Sequence, residues 1–318
     1  MKHPNMHMNF NGEQMNRFHL EVCTDDGAWN HFLDKEKEHT MVTMAHNPSL
    51  GDVLAMTFDY SYNKYWIMDQ DGPVGVFPVV QIGRKWVSMP HFSYGGPLLS
   101  KKLANPPLLQ ELLANTSFEI RSFTKHTKYV YDRKLSCVLR IFPSEEEQLL
   151  SLKSKLRQKI RKTDKLGLEV RHGHQELLDD FYGLYAKKML DFGSPPIGKI
   201  FYKNLLDHYQ NGEALITVLY DGKKLIAAGF SLSYLNFNEI CWSATDHNYD
   251  RYNIHAFICW QILKKSIERG YDYFSFGRST VNSNNHKFKK QWNPMELPIY
   301  YNYSEPIGKS IKELNFLT

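Results

Sequence analysis

The stretch FGRSTVNSNNHKFKKQW, Phe276 to Trp292, decides how this chain is read. It follows the run from Tyr271 to Phe276, whose pattern predicts a β-strand ending in a polar loop. Arg278 stands at the predicted strand exit, and Lys287, Lys289 and Lys290 flank Phe288 and Trp292. A rigid strand end followed by a polar loop is where α/β enzymes place chemistry, because the loop reaches substrate while the scaffold holds still. Cations gathered beside aromatics suit a large anionic or carbonyl-bearing ligand. They equally suit a solvated basic loop anchored by Trp292.

Moving toward the N-terminus, the pattern predicts a helix from Asn253 to Arg269 closed by Gly270. Before it come three meandering strands, Ala214–Tyr220, Leu225–Leu235 and Glu239–Thr245, the first two joined by Asp221-Gly222. Helices at Gln175–Leu190 and Lys199–Tyr209 and a strand at Leu168–Arg171 precede these, and a last strand runs from Pro298 to Tyr303. Ser144 caps a further helix, with Glu147 at the capping-box position, that continues to Leu166 and ends at Gly167. The N-terminal half has a rougher version of the same order. A strand at Arg17–Val22, a helix capped by Thr24, and a helix at Leu50–Phe58 are followed by a hairpin about Asp71-Gly72. A strand at Lys85–Met89, a helix at Pro106–Ala114 and strands at Ser117–Phe123 and Leu135–Phe142 complete it.

A chain of 318 residues suits two domains, and 42% hydrophobic residues suffice for ordinary cores. The formal net charge of +5 permits a basic cleft without implying a general nucleic-acid binder. Cys23, Cys137, Cys241 and Cys259 have no CxxC spacing, which fits a reducing compartment. No apolar run opens the chain and none approaches a membrane span, so a cytoplasmic protein is expected. No zinc spacing, P-loop or dinucleotide fingerprint is present, and His3 and His7 among Met6 and Met8 read as a frayed start.

Strand, FGRS, polar loop and FKxxW resemble the end of the acyltransferase domain in Fem-type aminoacyltransferases, which build peptidoglycan cross-bridges. LRQKIRKTDKLG at Leu156–Gly167 resembles that family's basic helix, and FYGLYAKKMLDFGSPP at Phe181–Pro196 its first helix and turn. SYGGPL at Ser93–Leu98 resembles the exopolysaccharide-associated relatives. The order of elements is similar to that of GNAT acyltransferases. The resemblance implies an α/β fold of two tandem GNAT-like domains with mixed central sheets, divided as residues 1–143 and 144–318. It also implies an enzyme that moves an activated acyl or aminoacyl group onto an amine of a peptidoglycan or exopolysaccharide precursor. The donor, aminoacyl-tRNA or acyl-CoA, would be a co-substrate rather than a bound cofactor. Contact with tRNA and with the inner membrane face goes with that role.

Such a transfer needs an uncharged amine, donors for the oxyanion and a route for one proton, but no dedicated nucleophile. The resemblance gives Lys289 the electrostatic role, against the alternative of a snorkelling surface lysine. Arg278, leaving its strand beside Gly277, is placed to grip a phosphate or carboxylate, or to form a buried ion pair with a core carboxylate. Leu149, Leu152, Leu156, Ile160 and Thr163 form an apolar stripe, which leaves Arg157 and Arg161 for substrate phosphates or for solvent. Asp191 would cap the next segment or receive the acceptor ammonium. Tyr94-Gly95-Gly96 permits close backbone approach to a ligand, or forms a tight turn. Trp242 reads as core and Asn253 as an N-cap, both facing the cleft. The glycine-rich pyrophosphate loop of CoA-dependent GNAT enzymes is missing at His247–Asn253, which counts against simple CoA-dependent acetylation. There is no room for the helical arm of bridge-forming Fem enzymes, which counts against direct tRNA use and makes the exopolysaccharide-associated branch the closer resemblance. A CoA-dependent N-acetyltransferase and a non-catalytic module binding phosphorylated glycans are the competing functions.

Overall fold

The computed structural model describes residues 17–100 and 108–306; the His3/His7 segment and the start of the helix expected at Pro106 lie outside them. The N-terminal half runs β1 (His19–Val22), α1 (Asp26–Glu36), α2 (Pro48–Phe58), β2 (Ser61–Asp69), β3 (Gly72–Ile82), β4 (Lys85–Val87) and β5 (Leu98–Leu99). It continues with α3 (Leu108–Leu112), β6 (Ser117–Ser122) and β7 (Val130–Arg140). The C-terminal half runs α4 (Glu145–Ser151), α5 (Ser154–Asp164), β8 (Glu169–Gly173), α6 (Leu178–Asp191), α7 (Lys199–His208), β9 (Gly212–Asp221) and β10 (Lys224–Tyr234). It ends with β11 (Phe237–Thr245), α8 (Ile254–Glu268), β12 (Tyr273–Thr280), α9 (Asn284–Lys289) and β13 (Met295–Tyr303).

One mixed sheet crosses both halves in the order β1-β2-β3-β4-β6-β13-β7-β12-β11-β10-β9-β8, with β5 paired to β3. The last strand, β13, lies between β6 and β7, and β7 lies between β13 and β12. The halves have thus exchanged strands, so each is held in the sheet by the other's hydrogen bonds. Helices α5 and α8 cover one face, where Leu156, Ile160, Phe257, Phe276 and Trp292 share a core. Helices α2, α6 and α7 cover the other, where Leu50, Phe181, Phe201 and Phe230 pack together across the two halves. Asn47, the N-cap of α2, also donates from Nδ2 to the Gln210 carbonyl at 2.8 Å, which ties α2 to the end of α7.

Several local expectations are corrected. The helix begun at Ser144 is two helices, because Leu152 leaves helical geometry (ψ 153°) and turns its side chain into the core at 3% exposure. Ser151 Oγ donates to the Gln148 carbonyl at 2.7 Å at the break. Asp25 rather than Thr24 caps α1, its carboxylate accepting from the Ala28 amide at 3.0 Å. The polar loop after FGRS is helix α9, capped by Ser283 Oγ, which accepts from the His286 amide at 3.2 Å. Arg278 is not at a strand exit: β12 continues to Thr280, where pairing with Lys134 of β7 extends it.

Candidate active site

Strands β11 and β12 run parallel but pair only over Phe237–Glu239 and Tyr273–Ser275, then part as each continues for several residues. Both have a bulge at the fork. The β10–β11 register slips between Phe230 and Ser231, leaving Cys241 unpaired, and the β12–β7 register slips between Ser275 and Arg278. Gly277 sits in the second bulge at φ +67°, a left-handed conformation that suits glycine. A Cβ there would stand 3.2 Å from Ser93 Oγ. Gly277→Ala is expected to cost about 1–2 kcal/mol from the backbone alone, read as a lower urea midpoint with an unchanged slope.

Glu239 lies at the fork and is 1% exposed. Its carboxylate accepts from Tyr94 Oη at 2.5 Å, Ser275 Oγ at 2.7 Å and Ser93 Oγ at 3.1 Å. Burial pushes its carboxyl above the ordinary range, and the three donors oppose that rise. Ser275 Oγ in turn accepts from the Gly277 amide at 3.0 Å, and Ser93 Oγ from the Arg278 amide at 3.2 Å. One buried carboxylate therefore ties the Ser93-Tyr94 loop of the N-terminal half to the bulge that carries Arg278. Nothing in the sequence pattern marked Glu239; a charged residue inside a predicted central strand was the available signal.

Lys289 reaches this fork from α9. Its Nζ donates to the carbonyls of Gly277 at 3.0 Å and Arg278 at 2.9 Å. An ammonium has three N–H donors, so a third remains for a substrate oxygen. Burial pushes its pKa down to about 8, while Cys137, Glu239 and Cys259 oppose the fall. Beside it Phe276 and Phe288 both pack against Trp292, which is fully buried. Arg278 extends toward the N-terminal half, where Nη1 donates to Tyr301 Oη at 3.2 Å and to the Phe92 carbonyl at 3.5 Å. The two cations thus meet through the Arg278 backbone, while their charged ends lead to different neighbours.

A cavity of about 220 Å³ is walled by Leu156 and Lys159 of α5, by Asp250, Asn253, His255 and Ala256 around the start of α8, and by Phe288 and Gln291 on either side of Lys289 and Lys290. His255 stacks on Phe288 with ring centroids 4.5 Å apart. Local crowding and the nearby Lys289 cation push its pKa down, although the residue as a whole is exposed to solvent. Burial pushes the thiols of Cys137 to about 11 and Cys259 to about 12, and that of Cys241 also upward. None is a ready thiolate, so the site has the means for direct attack by an amine rather than a thioester relay.

The other sequence-predicted residues are placed as follows. From the basic helix it is Lys159 that lines the cavity. Arg157 donates to the Leu150 carbonyl at 2.9 Å, and Arg161 is exposed, because the apolar stripe at Leu156, Ile160 and Thr163 fixes the rotation of α5. Asp191 is exposed at the end of α6 and caps nothing among the described residues; Gly193, at φ +72°, closes that helix. Tyr94 is buried on Glu239. The space at Gly95 and Gly96 is taken by Met89 and Ser122, not by a ligand groove, since added Cβ atoms would come within 2.6 Å and 2.5 Å of them. Trp242 packs edge-on against Tyr202, Phe201 and Phe92. Asn253 makes no side-chain cap bond: it adopts φ +59° and lines the cavity instead. Among the described residues no group of three or more His, Cys, Asp or Glu could hold a metal ion, and no helix is long and apolar enough to cross a membrane.

Residues 151–290 match the family model of an acetyltransferase (GNAT) domain. No curated protein matches the sequence. Among solved structures, FemX is similar over 92% of this chain and 98% of its own, at 12% identity and a TM-score of 0.64. L-PGS from Bacillus licheniformis is similar over 92% and 96% at 14% identity and TM-score 0.55. A tandem GNAT protein from the clavulanic acid biosynthesis pathway is similar over 92% and 99% at 7% identity and TM-score 0.55. The chain therefore has the tandem GNAT acyltransferase fold, with the acetyltransferase domain match spanning the splay, the cavity and Lys289.

Proposed function

We propose that this protein is a Fem-type transferase that moves an aminoacyl or acyl group from an activated ester or thioester onto an amine of a cell-envelope precursor. The observation that carries the reading is the half-buried Lys289 ammonium, fixed by two carbonyls at the β11–β12 splay with one donor free, and following Phe288 at the wall of a cavity of about 220 Å³. In this reading the donor's acyl end enters the splay, and Lys289 stabilises the oxyanion as nitrogen attacks. The amine loses its proton to water or the departing oxygen or sulfur, since Glu239 is too enclosed to reach it. Lys159, Asn253 and His255 would contact the donor's polar tail. The units divide at Pro143–Ser144, and their exchanged strands hold the cleft together.

FemX supports an aminoacyl donor and a peptidoglycan-type acceptor over the exopolysaccharide branch. That branch rests on Ser93–Leu98 and on the missing helical arm; the match over 98% of FemX weakens the second ground, because a chain of this extent without an added arm covers nearly all of FemX. Purified protein supplied with labelled aminoacyl-tRNA and a muramyl-peptide precursor is expected to yield labelled precursor, on the inner membrane face or in solution. Label transfer only from acetyl-CoA would instead establish the CoA-dependent N-acetyltransferase, which the acetyltransferase domain match favours. Tight, salt-sensitive glycan binding with no transfer from either donor would leave only a binding module.

A further inference from the structure

A second group of cations lies on the sheet face reached by Arg278, and it is short of negative charge. Lys134 on β7 is 1% exposed, and among the described residues its ammonium has one bond, to Thr280 Oγ1 at 2.9 Å. No carboxylate among the described residues lies within ion-pair distance of Lys134 or Arg278. Arg121 on β6 does have one, Glu119 at 3.1 Å, but Glu119 is shared with Lys85 at the same distance. The Arg121 Nε is buried without a partner, as is the hydroxyl of Tyr131, whose ring packs on Tyr301.

The geometry converges. The guanidinium groups of Arg121 and Arg278 both donate to the Phe92 carbonyl, at 3.2 and 3.5 Å. Arg121 lies over the Tyr301 ring at 4.9 Å while Arg278 donates to the Tyr301 hydroxyl. Thr280, which holds Lys134, is two residues beyond Arg278 on the same strand. Holding like charges together in a half-dry place is costly unless something neutralises them. The neighbouring Glu239 does not serve, because its carboxylate is occupied by Tyr94, Ser93 and Ser275.

We propose that Arg121, Lys134 and Arg278 form a binding site for one oxyanion, a phosphate or a carboxylate carried by the substrate. The site draws residues from both halves of the chain, so an anchored substrate would bridge them. Its role as an anchor for the acceptor rests on the transfer reading above; the binding itself does not. Burial, and after it repulsion from Arg278 and Arg121, lowers the Lys134 pKa to about 8.

The test is thermal unfolding of the full chain at constant ionic strength with sodium chloride, methyl phosphate or acetate. One of the two oxyanions is expected to raise the wild-type Tm several degrees beyond chloride. Which one does so tells a phosphate-bearing substrate from a carboxylate-bearing one. Lys134→Met is expected to raise the ligand-free Tm and to weaken oxyanion binding at least tenfold. Arg121→Gln, at a residue that reaches solvent, should weaken binding likewise and gives the readout if Lys134→Met fails to fold. An increment no larger than with chloride, or one unchanged in either folded variant, overturns the site. Oxyanion binding without acyl transfer from any donor would retain the site and discard the transfer reading alone.

Discussion

Glu239→Ala is expected to be the most damaging single substitution for stability, lowering it by about 3 kcal/mol or more. The alanine would leave the Tyr94, Ser93 and Ser275 hydroxyls facing an apolar gap, each unmet donor costing about 1–3 kcal/mol. Losing those bonds also frees the amides of Gly277 and Arg278, so the bulge and Arg278 should loosen together. Glu239→Gln separates charge from hydrogen bonding, because the amide oxygen still accepts. The sign of its pH dependence follows from the raised carboxyl. A folded-state pKa above the unfolded value gives stability that is complete below the unfolded value, about 4.3, and is lost as pH rises through the folded value. Urea unfolding should therefore show Glu239→Gln gaining on wild type as pH rises above about 4.3. Equal midpoints for Glu239→Ala and wild type would mean that this carboxylate does not secure the fork.

Lys289→Met is expected to have the largest effect on activity, lowering kcat about 10²–10³-fold with a smaller change in KM. Methionine keeps the stem and its packing beside Phe288 but removes the charge and the free N–H. The wild-type rate should pass through a maximum in pH. It falls at high pH as the ammonium, with its pKa near 8, loses its proton. It falls at low pH because the acceptor amine must be unprotonated. Stability runs the other way for this group. A lysine depressed below its unfolded value of about 10.4 contributes stability above that value and loses it as pH falls through about 8. Lys289→Met should accordingly remove part of any stability gain seen between pH 8 and 10. A variant with wild-type kcat would exclude Lys289 from transition-state stabilisation, whatever its stability.

Much of the architecture was legible from local pattern. The stripe through Leu156, Ile160 and Thr163 and the hairpin at Asp71-Gly72 are short-range signals that survive folding unchanged. The strand exchange was not legible, since it depends on β7 and β13 finding partners in opposite halves. The same long-range pairing drew Arg278 into a strand that local pattern had ended at Phe276.

For the site, residue type and order singled out Lys289 and Arg278, because cations beside aromatics at a strand end are unusual enough to notice. Direction was a different matter. Whether an ammonium meets carbonyls, a carboxylate or solvent depends on atoms more than ten residues away, and one-dimensional spacing does not encode them. Lys159 displaced Arg157 and Arg161 at the cavity wall because core packing sets the rotation of α5, not the charges on its surface. Glu239 at the first position of a predicted strand and Lys134 just before another looked like ordinary charged residues. Only the assembled sheet buried them, and burial gave one carboxylate three donors while leaving one ammonium without an anion among the described residues. The sequence by itself determined which elements form and which residue types are at hand. The tertiary structure decided which charges are dry, because desolvation is a property of the surroundings and not of the residue.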